Sequence, residues 1–258
     1  MDYWQKRALS TQDKIASKSE KQIQAQLRKY YKKVSKSSVS RFMLVYNKIQ
    51  NSKEAGLQPT PADLYKLDEY WKIQAEMTQL LRDLGDKEVK LYGNSFSAVF
   101  KNVYESIALK DDTNFNYIDM AQAEQMIKQI WCADGKSWSD RVWNNTEKLQ
   151  QALNDGLIEC VLTGASTEQL KEKLMYEFNV GYNRADSIVR TEVSHIQSQA
   201  ARQRYEDAGI SKVMVWASKD ERRCEICGKL HEKVFPANGK MPIPAHPRCR
   251  CRIIPYFD

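Results

Sequence analysis

The chain has 258 residues, of which 42% are hydrophobic, 10% aromatic and 28% charged, with a formal net charge of +7. Those proportions suffice to bury a core, and they exclude a wholly disordered, collagen-like or mucin-like chain. No run of about 18 apolar residues offers a membrane-spanning helix, and the opening MDYWQKRALS lacks the apolar core of a secretory signal.

The first 50 residues hold 12 Lys and Arg against 3 Asp and Glu, a net of +9, while the remaining 208 residues carry a net of −2. A basic arm of this kind suits nucleic acid, an anionic membrane surface or an acidic protein partner; a solvated helix face is the competing reading. Within it Lys21, Arg28, Lys29, Lys32, Lys33 and Lys36 are the candidate nucleic-acid contacts. Ile23, Leu27, Tyr30 and Val34 recur at spacings of four and three, which marks one apolar stripe on a helix. The stretch KVSKSSVS (Lys33–Ser40) is a poor helix interior and predicts a break, with Phe42, Val45, Tyr46 and Ile49 resuming the pattern.

Proline and glycine then divide the chain. No Gly precedes Gly56, and no Pro lies between Pro61 and Pro236. Five of the seven prolines fall in the last 23 residues, so a long helical body gives way to a small irregular module. Thr60-Pro61-Ala62-Asp63 reads as a helix N-cap, a first-turn proline and an acid at the positive helix end. Leu64, Leu67, Trp71, Leu80, Leu81 and Leu84 follow as apolar helix positions, with Gly85 as a C-terminal stop.

A further helix carries Tyr92, Phe96, Val99, Phe100, Val103 and Ile107, and Asp111–Asn114 reads as a loop. Helices are predicted over Ile118–Trp131, Ser139–Thr163 (ending at Gly164), Thr167–Phe178 and Arg184–Ala208 (ending at Gly209). Past Gly209 the pattern becomes β-rich in three short runs: Val213–Ala217, Lys233–Phe235 and Arg252–Ile254. The fold class is thus mainly α, an elongated multi-helix body with a small C-terminal β-hairpin module, which the cysteine and histidine spacing described next makes zinc-stapled. Residues 1–58 form the basic arm, 59–180 the helical body and 181–258 the C-terminal domain.

Chemistry concentrates in that module. Four of the six cysteines fall within 28 residues: Cys224-x-x-Cys227, then His246-Pro-Arg-Cys249-Arg-Cys251. Cys-x-x-Cys in a tight turn points two thiolates at one place, and a second pair from a distant turn completes the tetrahedron of a zinc knuckle. Eighteen residues separate Cys227 from His246, an acceptable loop. Cys249 and Cys251 are two apart, so in an extended strand they face the same side.

Five donors therefore compete for four positions. The preferred set is Cys224, Cys227, His246 and Cys249, with Cys251 as the alternate and His231 as a weaker substitute. Four protein ligands leave no open position, which makes such a zinc site structural. A disulfide, a redox Cys-x-x-Cys and unligated thiols are the competing readings, and no secretion signal favours a disulfide. Cys132 and Cys160 sit in helical patterns and read as core, as do Trp131, Trp138 and Trp143.

The preceding helix carries Arg190-Thr191-Glu192 with His195, and Glu192 and His195 share a helix face. Two readings stand. One is an acid–base pair; the other, preferred, is a polar network of Arg190, Glu192 and His195 tying the helix to the zinc module through Asp220, Arg222 or Arg223.

The ordered set of Ala185–Glu192, Trp216–Cys227 and His246–Cys251 resembles phage Mu protein F-like minor head proteins, also called phage head morphogenesis or minor capsid proteins. The likeness spans residues 180–258, and the pair Arg222-Arg223 departs from it by one additional residue before the cysteine. The resemblance implies a non-enzymatic, low-copy virion component of a tailed phage, made in the host bacterial cytoplasm. It would associate with portal or major capsid proteins inside the head, during head morphogenesis and DNA packaging or ejection, with double-stranded DNA as a candidate partner of the basic arm. A zinc-dependent nuclease using His195, His231 or Glu192 is the alternative.

Overall fold

The computed structural model describes residues 1–51, 60–110, 117–217 and 223–257. Among the described residues seven helices and three strands follow in the order α1 (Tyr3–Asn51), α2 (Pro61–Tyr65), α3 (Asp68–Ser106), α4 (Met120–Lys128), α5 (Trp138–Thr163), α6 (Thr167–Asp207), β1 (Lys212–Trp216), α7 (Glu225–Leu230), β2 (Val234–Pro236) and β3 (Arg252–Pro255). The chain is mainly helical with a small C-terminal sheet, as its proline pattern predicts. The loop expected at Asp111–Asn114 lies outside the described residues.

Several helix boundaries follow the local signals. The Asp63 carboxylate of α2 accepts from the Thr60 N–H at 2.9 Å and from its hydroxyl at 2.6 Å, beside the first-turn Pro61. Gly164 and Gly209, just past α5 and α6, take φ of 63° and 76°, the left-handed geometry in which glycine bears no Cβ penalty.

Elsewhere packing overrides local preference. The break expected at Lys33–Ser40 is absent: α1 runs through it, with Val34, Ser35, Ser38 and Val39 buried. The stripe also shifts by one residue, with Tyr31 in the core and Tyr30 only half-buried. Gly85 does not stop α3. Its missing side chain admits the Trp143 ring, which would lie 2.6 Å from a Cβ at that position. Trp71 is exposed, stacked on Tyr65 at 6.0 Å, and does not join the α3 core. The two helices expected over Thr167–Phe178 and Arg184–Ala208 are one, α6, of 41 residues.

The described chain forms two compact units. One comprises Met1–Gln24, Leu91–Trp138 and Asp186–Asp258; the other comprises Ala25–Lys90 and Ser139–Ala185. In the second unit a buried polar node ties three helices. Asn145 Nδ2 donates to the Tyr31 hydroxyl and to the Gly181 carbonyl, both at 3.0 Å, while the Tyr31 hydroxyl donates to Gly181 O at 3.3 Å. Burial, reinforced by the Glu88 carboxylate, pushes the Tyr31 hydroxyl well above the usual tyrosine range.

In the first unit Tyr92 and Phe96 of α3 pack with Trp138, and Tyr104 donates to Asp207 at 2.5 Å. The sheet has the order β2-β1-β3, all antiparallel. β3 lies at its edge, and the side chains of α1 cover that edge. Gln12 Nε2 donates to Ile253 O at 2.8 Å, and Gln5 Nε2 donates to Pro255 O at 3.0 Å. Gln5 thereby satisfies an edge carbonyl, and Gln12 adds a second donor to Ile253 O, which also accepts from the Tyr205 hydroxyl at 3.3 Å.

Candidate metal centre

The sheet register gathers the cysteine and histidine donors. Trp216 at the end of β1 stands opposite Arg252 at the start of β3. The segment that follows β1 and the segment that precedes β3 therefore leave the sheet at the same end. The first carries Cys224 and Cys227, the second His246, Cys249 and Cys251.

Cys224 is the N-cap of α7, and its Sγ accepts from the Cys227 N–H at 3.4 Å. This single turn points both sulfurs the same way. His246 Nε2 lies 3.2 Å from Cys224 Sγ and 3.1 Å from Cys227 Sγ, and Cys249 Sγ lies 3.7 Å from Cys227 Sγ. Ligand atoms of Cys224, Cys227 and His246 fall within 4.8 Å of one another, and so do those of Cys227, Cys249 and Cys251. Cys227 is common to both groups.

These distances suit a tetrahedral ion. A Zn–S length of about 2.3 Å puts neighbouring sulfurs about 3.8 Å apart and a sulfur and a nitrogen about 3.5 Å apart. The sulfur pair matches, and the sulfur–nitrogen pairs are slightly tighter. The other ring nitrogen of His246, Nδ1, is 2.8 Å from the Pro247 carbonyl. That partner makes Nδ1 the protonated nitrogen and leaves the Nε2 lone pair facing the thiols, the arrangement metal-ligating histidines use.

The thiols are not equivalent. The Cys227 N–H holds Cys224 below the ordinary thiol range, whereas burial pushes Cys227 up. A hydrogen bond from Cys251 holds Cys249 down, and the same contact pushes Cys251 up. A divalent cation would have to displace the protons that remain, so its binding would strengthen as pH rises.

The polar residues of α6 are placed differently from the knuckle. Glu192 accepts from Trp131 Nε1 at 3.1 Å, and the Trp131 ring stacks on His195 with centroids 4.3 Å apart. His195 is 5% exposed, and burial, with a smaller push from Arg202, lowers its pKa to about 3. It is a neutral core histidine at physiological pH. His231, the substitute donor, accepts from Ala217 N–H at 3.3 Å and packs edge-on to Trp216. Arg190 donates to Asp186 at 3.0 Å, and Asp220 and Arg222 lie outside the described residues.

Three residues absent from the expected site carry the contacts between α6 and the donor loop. Arg248 donates its backbone N–H to Thr191 Oγ1 at 2.9 Å and pairs through Nη2 with Asp186 Oδ2 at 3.2 Å. All three stand in the sequence segments that carry the family resemblance, which is the signal that marks them. Beside the module a cleft of about 560 Å³ is lined by Asp13, Glu20, Arg190, Trp216, Arg250 and Arg252 among others. Arg252 pairs with Asp13 at 3.1 Å, and Arg190 approaches Glu20 at 3.8 Å. Burial raises the Glu20 pKa in spite of those arginines.

Lys21, Arg28, Lys29, Lys32, Lys33 and Lys36 are all exposed along α1, with Arg28 donating to the Tyr182 hydroxyl at 2.9 Å. No helix among the described residues is long and apolar enough to cross a membrane.

No curated protein and no solved structure matches the chain significantly. One family does match, and it does so over the segment that builds the cluster, beginning within α5 and so well before residue 180, where the resemblance was placed. Residues 148–254 match the model of the family described as Phage Mu protein F like protein.

Proposed function

We propose that the chain is a minor head protein of a tailed phage, acting in head morphogenesis and in DNA packaging or ejection at the portal or inner capsid. The observation that carries this reading is the coincidence of the family match with the donor cluster inside one segment. Its place is the virion. Zinc is held by Cys224, Cys227, His246 and Cys249, and Cys251 is the thiol that hydrogen-bonds Cys249. Bound there, the ion crosslinks two loops of a module too small to bury much apolar surface.

The exposed cations of α1 contact DNA. Support comes from the net +9 of the first 50 residues and from their placement on the exposed face of a helix. A nuclease reading gains nothing from the geometry: Glu192 and His195 are buried against Trp131, and neither belongs to the clustered donors.

Three measurements test the reading. Elemental analysis of the purified chain should return one zinc per molecule, and a chain that folds without metal removes the structural-zinc part. Titration with duplex DNA should show log K falling linearly with log salt, with a slope of about −0.9 per phosphate neutralised. No binding at low salt removes the DNA contact, and failure to co-purify with portal or capsid particles removes the assembly role.

A further inference from the structure

The two halves of the donor cluster are oriented in different ways. Cys224 and Cys227 orient themselves, because both belong to the first turn of α7. His246 and Cys249 sit on a loop, joined by a tight turn in which the Cys249 N–H donates to His246 O at 3.1 Å. Between them Arg248 adopts φ 61°. A long side chain in the left-handed region is strained and persists only where the surroundings hold it.

We infer that Thr191 and Asp186 of α6 are positioning residues for the metal, holding Arg248 in this conformation so that His246 and Cys249 converge on Cys227. The inference rests on the zinc reading above.

The hold is two-point. Thr191 Oγ1 donates its hydrogen to Ser187 O at 2.7 Å, so its lone pairs are left facing the Arg248 N–H at 2.9 Å. Asp186, 8% exposed, is itself fixed. Its Oδ1 accepts from Gln24 Nε2 at 2.8 Å, and its Oδ2 takes Arg190 Nε at 3.0 Å besides the Arg248 guanidinium at 3.2 Å. Both residues stand on one continuous helix, a firmer support for ligand geometry than a loop. The arrangement gives a physical reason for an α6 segment and a terminal Cys/His segment to occur together.

The test is zinc affinity of the full chain, measured by competition with a chromophoric chelator, together with the absorption spectrum of the Co²⁺-loaded protein. Thr191→Val and Asp186→Asn should each weaken zinc about 10- to 100-fold, the usual effect of removing a partner that orients a ligand. The Co²⁺ ligand-field and thiolate bands of Thr191→Val should shift, and Thr191→Ser should restore both readouts. A role in fold stability alone would leave the Co²⁺ bands of the folded variant unchanged.

Should Thr191→Val fail to fold, Arg248→Gly supplies the second arm. Glycine adopts the left-handed turn without help, so Asp186→Asn placed in an Arg248→Gly background should lose little further affinity. Wild-type affinity and wild-type Co²⁺ bands in folded Thr191→Val and Asp186→Asn overturn the inference, as does an undiminished effect of Asp186→Asn in the Arg248→Gly background. A wild-type chain that binds no zinc instead overturns the zinc reading itself.

Discussion

His195 shows how a titratable side chain can mislead when judged by spacing. Three residues from Glu192 on one helix face, it resembles half of an acid–base pair, yet both side chains end on Trp131. Burial lowers its pKa from 6.5 to about 3, so the folded protein keeps it neutral where the unfolded chain takes up a proton. Its contribution to stability is full above pH about 6.5 and is lost progressively as pH falls toward about 3. His195→Phe, which keeps the stack on Trp131 but cannot titrate, should flatten that loss. Urea unfolding of both proteins between pH 7 and 4 decides it: parallel curves would mean that His195 takes no proton on unfolding. Protonation of the cysteine and histidine donors affects both proteins and cancels in the comparison. At this scale the donors were legible because ligand chemistry leaves a spacing in the chain. The link from Arg248 to Thr191 spans 57 residues and exists only once α6 and the sheet are assembled, so spacing could not reveal it.

Among the helices, the expected joints failed where a small residue serves packing. Lys33–Ser40 reads as a breaker because serine and β-branched residues weaken an isolated helix. In α1 four of them, Val34, Ser35, Ser38 and Val39, are the slim, buried side of a long helix. Gly85 and Gly181 behave alike. A Cβ at Gly85 would meet the Trp143 ring, and one at Gly181 would lie 3.2 Å from Leu149 Cδ2 and 3.3 Å from Tyr31 Cε1. Propensity describes the segment alone, whereas the partner that needs the gap lies elsewhere in the chain. Ser38 offers a test. It is fully buried, and its hydroxyl finds no partner among the described residues. Ser38→Ala removes an unsatisfied polar group and improves helix propensity, so it should raise stability by about 1 kcal/mol or more. A lower thermal midpoint than wild type would show that the hydroxyl is paired.

For the molecule as a whole, helical content, the three strands and the donor cluster were readable, because proline spacing and cysteine spacing are themselves sequence features. The use of α1 was only half readable. Its charge was plain, but glutamines at positions 5 and 12 pass for ordinary solvated residues. Both are buried donors to β3, and Gln12 is completely enclosed. Removing residues 1–12 should therefore bare the edge of the sheet and promote self-association, since an unpaired strand edge is a template for another chain. Light scattering of the truncated and intact proteins at equal concentration checks it, and a truncated chain that stays as monodisperse as the intact one would show that the edge needs no cover.

Those amides also set a clock. Gln5 and Gln12 meet carbonyls 250 and 241 residues further along the chain. At about 5–20 residues per second of synthesis, α1 emerges from the ribosome roughly 10–50 s before its acceptors exist. For that interval the helix that will close the sheet has nothing to close, and its apolar stripe must stay soluble on the strength of its own lysines and arginines.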